Sequence, residues 1–268
     1  MNNRMHAARA WLSLCACAVL GWTASGAHAA DAHAKDRDAL WKQVHDMCAV
    51  KAGQGVYPPA PCIDVQPGQN GYAIFKDRDG RYQYLLLPLA RITGIESPLL
   101  LTPDAANYLA RAWSARLYVE AALDAEQSRD VIGLVVNSPM GRSQDQLHIH
   151  IDCLRADVRD TIKRLLPAIT EHWNWLPEAL PPNQHRYLAR WVSGADLKIN
   201  PFKDLAHALP PGDSMAMHSL VVIGAYSPSG KPGFVLLSGR VDVANLDRGN
   251  ADDLQDMGCA IARRVTSL

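Results

Sequence analysis

Residues 146–154 constrain the fold more than any other stretch of the chain. Leu147, Ile149, Ile151 and Cys153 alternate there with His148, His150 and Asp152, and a period of two sends one set to each face of an extended strand. A slip of one residue in the pairing would bury all three polar side chains, so the register is specified. A strand needs neighbours. Residues 131–137 are almost wholly apolar and read as a second, buried strand. Residues 71–88 read as a hairpin turning at Asp77-Arg-Asp-Gly80. Further strands are expected at 187–192, 217–226 and 234–239, the last two joined by Ser227-Pro-Ser-Gly230.

Helices are expected around these strands. Residues 31–52 place Leu40, Trp41, Val44, Met47 and Cys48 at helical spacing. Thr102-Pro103-Asp104 has the hydroxyl, proline and early carboxylate of a helix start. From there Leu109, Trp113, Leu117 and Ala121 recur every four residues to about residue 125, as a stripe expected on the core. Asp157 is placed to cap a helix through about Leu166, and a closing helix is expected over 252–264. Hairpin signals dominate, so the fold class is α+β: an antiparallel sheet with helices packed on it.

The first residues stand apart. Arg4 and Arg9 precede an apolar run from Ala10 to about Thr23, and Ala27-His28-Ala29 follows. That is the order of a secretory signal peptide over residues 1–29, with an uncleaved signal anchor in the inner membrane as the alternative. Residues 30–268 then form one large domain or two intimate halves. Removing Arg4 and Arg9 takes the basic count from 27 to 25, against 27 acidic. A chain so near neutrality is not built to bind nucleic acid through bulk positive charge. Cys48, Cys62, Cys153 and Cys259 remain, an even number that export favours pairing. The expected bridges are Cys48–Cys62, closing a Gly- and Pro-rich loop, and Cys153–Cys259, tying the histidine strand to the C-terminal segment. Buried free thiols are the alternative, and no CxxC redox spacing is present.

The chemistry is concentrated between Asn137 and Asp152. An unprotonated imidazole is a nucleophile at neutral pH, and a neighbour on its far nitrogen selects the attacking tautomer. Upstream, Gly141, Arg142, Ser143 and Gln144 can offer amides and a guanidinium to phosphate oxygens. A His-x-His pair alone suits three roles equally: a hydrogen-bonded structural pair, a zinc or other metal site, or a nucleophile.

The surrounding residues narrow that choice. Gln144 stands four residues before His148 and Asn137 eleven before it, and the stretch resembles the histidine-triad (HIT-like) hydrolase and transferase superfamily. The string Asn-Ser-x-x-Gly-Arg-Ser-Gln-Asp-x-Leu-His-Ile-His looks specifically like the bacterial CDP-diacylglycerol pyrophosphatase branch. So do Gly71-Tyr-Ala-Ile-Phe-Lys-Asp-Arg78, Glu96-Ser-Pro-Leu-Leu100, Tyr187-Leu-Ala-Arg190 and the four mature cysteines. Two positions depart from the superfamily pattern. Asp152 replaces the third histidine, and Ser143 stands where a small residue usually precedes the glutamine.

The resemblance implies a HIT-like antiparallel sheet extended by a C-terminal α/β part. It implies hydrolysis of CDP-diacylglycerol to CMP and phosphatidate through a nucleotidyl-histidine, with His150 as nucleophile and His148 and Asp152 beside it. Asn137, Arg142, Gln144 and Asp145 would contact substrate, Asp145 standing where relatives often carry a serine that helps the leaving group. That scheme requires no metal or other cofactor, and its partners are the lipid substrate and the periplasmic side of the inner membrane. A zinc hydrolase using His148, His150 and Asp152, and a non-catalytic periplasmic nucleotide- or lipid-binding protein, are the competing readings. Oligomeric state stays open. His218, in an apolar strand, is expected to be a satisfied core histidine. His172, His185 and His207 lie in no constellation. Trp173 and Trp175 are expected under a long loop, and Arg155, Arg159, Lys163 and Arg164 on a solvated helix face.

Overall fold

The computed structural model describes residues 36–262, so the expected signal segment lies outside the described residues. Its strands are β1 (Cys62–Gln66), β2 (Tyr72–Lys76), β3 (Tyr84–Pro88), β4 (Ile132–Val136) and β5 (Ile149–Cys153), followed by β6 (Asn174–Trp175), β7 (Tyr187–Ser193), β8 (Leu220–Tyr226) and β9 (Pro232–Gly239). They form one open nine-stranded sheet in the order β1-β2-β3-β5-β4-β8-β9-β7-β6, with every pairing antiparallel.

Alternation along the strands splits the core into two faces. Ile149, Ile151 and Cys153 join Leu86, Leu134, Leu220 and Leu236 on one face. Residues of α3 (Tyr108–Ala115), α4 (Leu117–Leu123) and α6 (Pro201–Ala208) belong to the same cluster. The other face is covered in two pieces. Over β1–β3 lies a helical run made of α1 (Ala39–Lys42), a π-helical stretch Gln43–Ala49 and α2 (Val50–Gly53), whose Val44 and Cys48 pack on Ala73, Leu85 and Leu87. Over β4, β8 and β9 lies α5 (Ala156–Leu165), whose Val158 and Ile162 pack on Val135, Val221 and Leu237. His150 pairs with Leu85 on one side and Val135 on the other. Cross-strand partners share a face, so the polar set of β5 lies along the seam between the two covering pieces. Both expected disulfides form: Cys48–Cys62 joins the N-terminal helical run to β1, and Cys153–Cys259 joins β5 to the C-terminal segment.

Several expectations are corrected. Among the described residues no separate α/β part follows the histidine strand; β7, β8 and β9 extend the same antiparallel sheet, their backbone groups satisfied by edge-to-edge pairing and their apolar faces covered by the helices on either side. The helix expected from Thr102 begins at Tyr108, where the Asn107 side chain accepts from the Ala110 amide at 3.1 Å. The four-residue stripe fails at Leu117, which is 59% exposed, while Val119, Glu120 and Leu123 turn inward. At 100° per residue a strict i+4 repeat overshoots a full turn by about 40° per step, so the stripe winds off the core. Asp157 sits inside the first turn of α5 rather than at its cap, which is Arg155. Of the expected closing helix, only a 3-10 turn at Ala251–Leu254 forms within the described residues. The chain beyond it is held along β5 instead: the Asp256 amide donates to the Cys153 carbonyl at 2.8 Å, and Gln255 bridges Leu154.

Candidate active site

Both faces of β5 are buried, so its polar residues are enclosed rather than displayed. His148 is 8% exposed, His150 9% and Asp152 0%. The rings of His148 and His150 meet edge to face with centroids 5.0 Å apart. His148 Nδ1 lies 2.6 Å from the Gln146 carbonyl oxygen. A carbonyl only accepts, so neutral His148 carries its proton on Nδ1 and a lone pair on Nε2. Neither ring nitrogen of His150 has a hydrogen-bond partner among the described residues. Burial pulls the pKa of both imidazoles down to about 4, the other histidine adding to the effect at His148 and Asp77 opposing it at His150. At neutral pH both rings are therefore uncharged, as nucleophilic attack requires.

Asp152 behaves in the opposite sense. Burial pushes its carboxyl up to about 7, against the Cys153 amide bonded to Oδ1 at 2.8 Å and the charge of Lys76. Its Oδ2 has no partner among the described residues. The Cys259 sulfur lies 3.4 Å from Oδ1, but a disulfide sulfur carries no proton to donate, so this is packing. Asp152 thus stands at the end of the polar row as a carboxyl near half-protonation.

The upstream loop is organised by ion pairs. Arg142 is nearly buried and donates to Glu96 at 2.7 and 2.9 Å and to Asp145 at 3.0 and 3.2 Å. Arg37 clasps Asp145 from the other side at 2.6 and 2.8 Å, and that hydrogen bond leads in holding Asp145 down to about 2. The Gln144 side chain accepts from the Leu40 amide and donates to the Asp36 carbonyl, both at 3.0 Å. Asn137 accepts from the Asp252 amide at 3.2 Å. A Cβ on Gly141 would lie 2.8 Å from the Gly249 carbonyl oxygen, so glycine lets this loop press against residues 249–250. The structure therefore brings His148, His150 and Asp152 together on one row. It engages Asn137, Arg142, Gln144 and Asp145 with protein partners around that row.

Three neighbours escaped the sequence reading as site residues. Asp77 acts on His150, Lys76 on Asp152, and Asp252 on His148. Lys76 donates to the carbonyls of Asp77, Gly80 and Gln83, closing the β2–β3 turn. Asp252 Oδ1 is buried without a partner among the described residues. Lys76 and Asp77 lie in a string that carried the resemblance, and so does Glu96, the partner of Arg142. Asp252 has no local signal.

Among the described residues, one group presents three potential metal-ligand atoms within 4.8 Å of one another: Asp152, Cys153 and Cys259. Its two sulfurs are joined to each other, so it cannot supply thiolates. His148, His150 and Asp152 do not converge in that way. His218 is 1% exposed between Ser238 Oγ at 2.9 Å and Asp213 at 3.1 Å, a satisfied core histidine. Trp173 donates to Asp204 at 2.9 Å, and Trp175 stands half exposed against Arg186.

Compared with known protein families, residues 35–263 match the family described as CDP-diacylglycerol pyrophosphatase.

Proposed function

The chain belongs to the CDP-diacylglycerol pyrophosphatase family and is a hydrolase acting on a pyrophosphate bond; from that premise we propose that it works through a covalent nucleotidyl intermediate on His150. The observation that carries the proposal is the pair of buried, partnerless ring nitrogens of His150, unprotonated at neutral pH. An unpaired buried polar group costs about 1–3 kcal/mol, and such a cost persists where function needs it.

In the first step a lone pair of His150 attacks the phosphorus bonded to the cytidine 5′ oxygen. The bond from that phosphorus to the bridging oxygen breaks, its electron pair leaves with that oxygen, and phosphatidate departs. The proton on the other ring nitrogen passes to the departing phosphatidate or to solvent. In the second step a water oxygen attacks the same phosphorus and the nitrogen–phosphorus bond breaks. The electron pair returns to the ring, the water gives one proton to the ring and so restores neutral His150, its remaining O–H stays on the phosphate, and CMP is released. His148, fixed by the Gln146 carbonyl, packs edge to face against His150 and would orient the attacking ring through that contact. Arg142 would meet phosphate oxygens by sharing the charge it now gives to Glu96 and Asp145. The relation to the histidine-triad superfamily belongs to the same proposal and rests on the spacing of Asn137, Gln144, His148 and His150.

Export to the periplasmic side of the inner membrane is proposed on two grounds. One is the charged, apolar and small-residue order of residues 1–29. The other is the pair of disulfides, which persist in oxidising compartments. No helix among the described residues is long and apolar enough to cross a membrane. Protease shaving of intact spheroplasts should digest the protein; full protection would place it in the cytoplasm.

The mechanism is tested by incubating the full-length protein with CDP-diacylglycerol in EDTA, quenching rapidly and mapping peptides by mass spectrometry. A CMP-sized adduct on the peptide containing His150, absent in His150→Ala, is expected. CMP released with no adduct at any quench time, or full turnover by His150→Ala, would overturn it.

A further inference from the structure

Helix α5 carries an arrangement that hydrolysis does not use. Arg155 pairs with Asp157 and Arg164 with Glu178, as a solvated face would. Arg159 and Lys163, one turn apart, instead stand at the rim of a cavity of about 440 Å³ between α5 and the end of β8. Ile162, Leu166, Ile223 and Ala225 make its interior apolar. That volume falls in the range of small-molecule sites and suits one long alkyl chain rather than two. The cations at the mouth are held only loosely. Arg159 pairs with its own neighbour Asp160, a surface contact that solvent screens. Asp130, the carboxylate of the lining, already accepts from the Ser128 hydroxyl.

The cavity is distinct from the histidine row. Ile223 pairs with Gly133, and Gly133 with Asp152, which puts the cavity floor two strand spacings, about 10 Å, from Asp152. Leu154, fully buried, lies over Gly133 between them.

We propose that this cavity binds an anionic amphiphile with a single alkyl chain, the chain buried on the Ile162–Ile223 side and the head group on Arg159 and Lys163. A long-chain carboxylate and a monoacyl phosphate share that chemistry. The proposal is independent of the nucleotidyl-histidine mechanism, since no residue is common to both sites.

Isothermal titration of the full-length protein with laurate, below its micellar concentration, tests it. Saturable binding of one equivalent is expected, with dodecanol bound at least about tenfold more weakly because it lacks the charge. The double variant Arg159→Glu/Lys163→Glu should weaken laurate by about tenfold or more while its hydrolysis of CDP-diacylglycerol stays near wild type. Ala225→Leu should weaken laurate and dodecanol alike by filling the interior; if that variant does not fold, the rim variant decides alone. Tighter binding of lauroyl lysophosphatidate than of laurate would identify a phosphate head, and equal or weaker binding a carboxylate. Absence of saturable laurate binding, equal binding of dodecanol, or laurate affinity unchanged by the rim variant would each overturn the proposal.

Discussion

His150 occupies a position that a hydrocarbon side chain would fit better for stability alone. Its neighbours across the sheet are Leu85 and Val135, and its nitrogens are buried without partners. His150→Leu is therefore expected to keep or raise the unfolding free energy measured in urea, by up to about 1–3 kcal/mol of relieved desolvation, while abolishing turnover. Loss of stability in that variant would show that the imidazole has a structural partner. The pH dependence follows from the same burial. A histidine whose pKa falls from its ordinary 6.5 to about 4 contributes stability that is present above 6.5 and lost as pH falls through 4. Asp152, raised from 3.8 to about 7, contributes stability that is present below 3.8 and lost as pH rises through 7. Between pH 4 and 6.5 the two histidines outweigh the one carboxyl, so stability should rise with pH. Asp152→Asn removes the opposing group and should make that rise steeper, as chemical denaturation at pH 4.5, 5.5 and 6.5 would measure. The acid limb of kcat/KM, which reports the free enzyme, should lie nearer pH 4 than 6.5.

Ion pairs set the behaviour of the loop that precedes β5. Arg142, with Glu96 and Asp145 on its guanidinium and Arg37 beyond, ties residues 142–145 to the N-terminal helical run and to the segment before residue 100. Arg142→Met should destabilise by less than the roughly 3–5 kcal/mol lost on breaking a fully buried pair, since Glu96 and Asp145 keep part of their surface in water. Its urea midpoint relative to Glu96→Gln would measure this, and activity should fall in both if the network positions the loop. Asp145, held down to about 2, contributes stability that is present above 3.8 and lost as pH falls toward 2. Legibility at this scale follows the range of the interactions. Strand β5 was readable because alternation is a local property of nine residues. The start of α3 was not, because Asn107 is fixed by the carbonyls of Leu197 and Ile199 at 3.0 and 2.6 Å, nearly a hundred residues away.

Across the whole molecule, the two disulfides close loops of very different size. Cys48–Cys62 spans 14 residues and Cys153–Cys259 spans 106, and chain entropy assigns them about 3 and about 4.7 kcal/mol. Removing the second by paired Cys→Ser substitution should lower stability more than removing the first. It should also impair turnover, because the released segment carries Asp252 beside His148. Denaturant midpoints and hydrolysis rates of the two variants would show whether this order holds. What the sequence determined by itself is whatever a few adjacent residues can specify: the strand and its polar row, the hairpin, and the spacing of Asn137 and Gln144 ahead of the histidines. Tertiary structure decided the rest. Joining β7–β9 to the same sheet and drawing Asp77 and Asp252 to the histidines both depend on contacts between distant segments. So does the depressed pKa of His150, which comes from desolvation, and desolvation exists only once both coverings of the sheet have closed over β5.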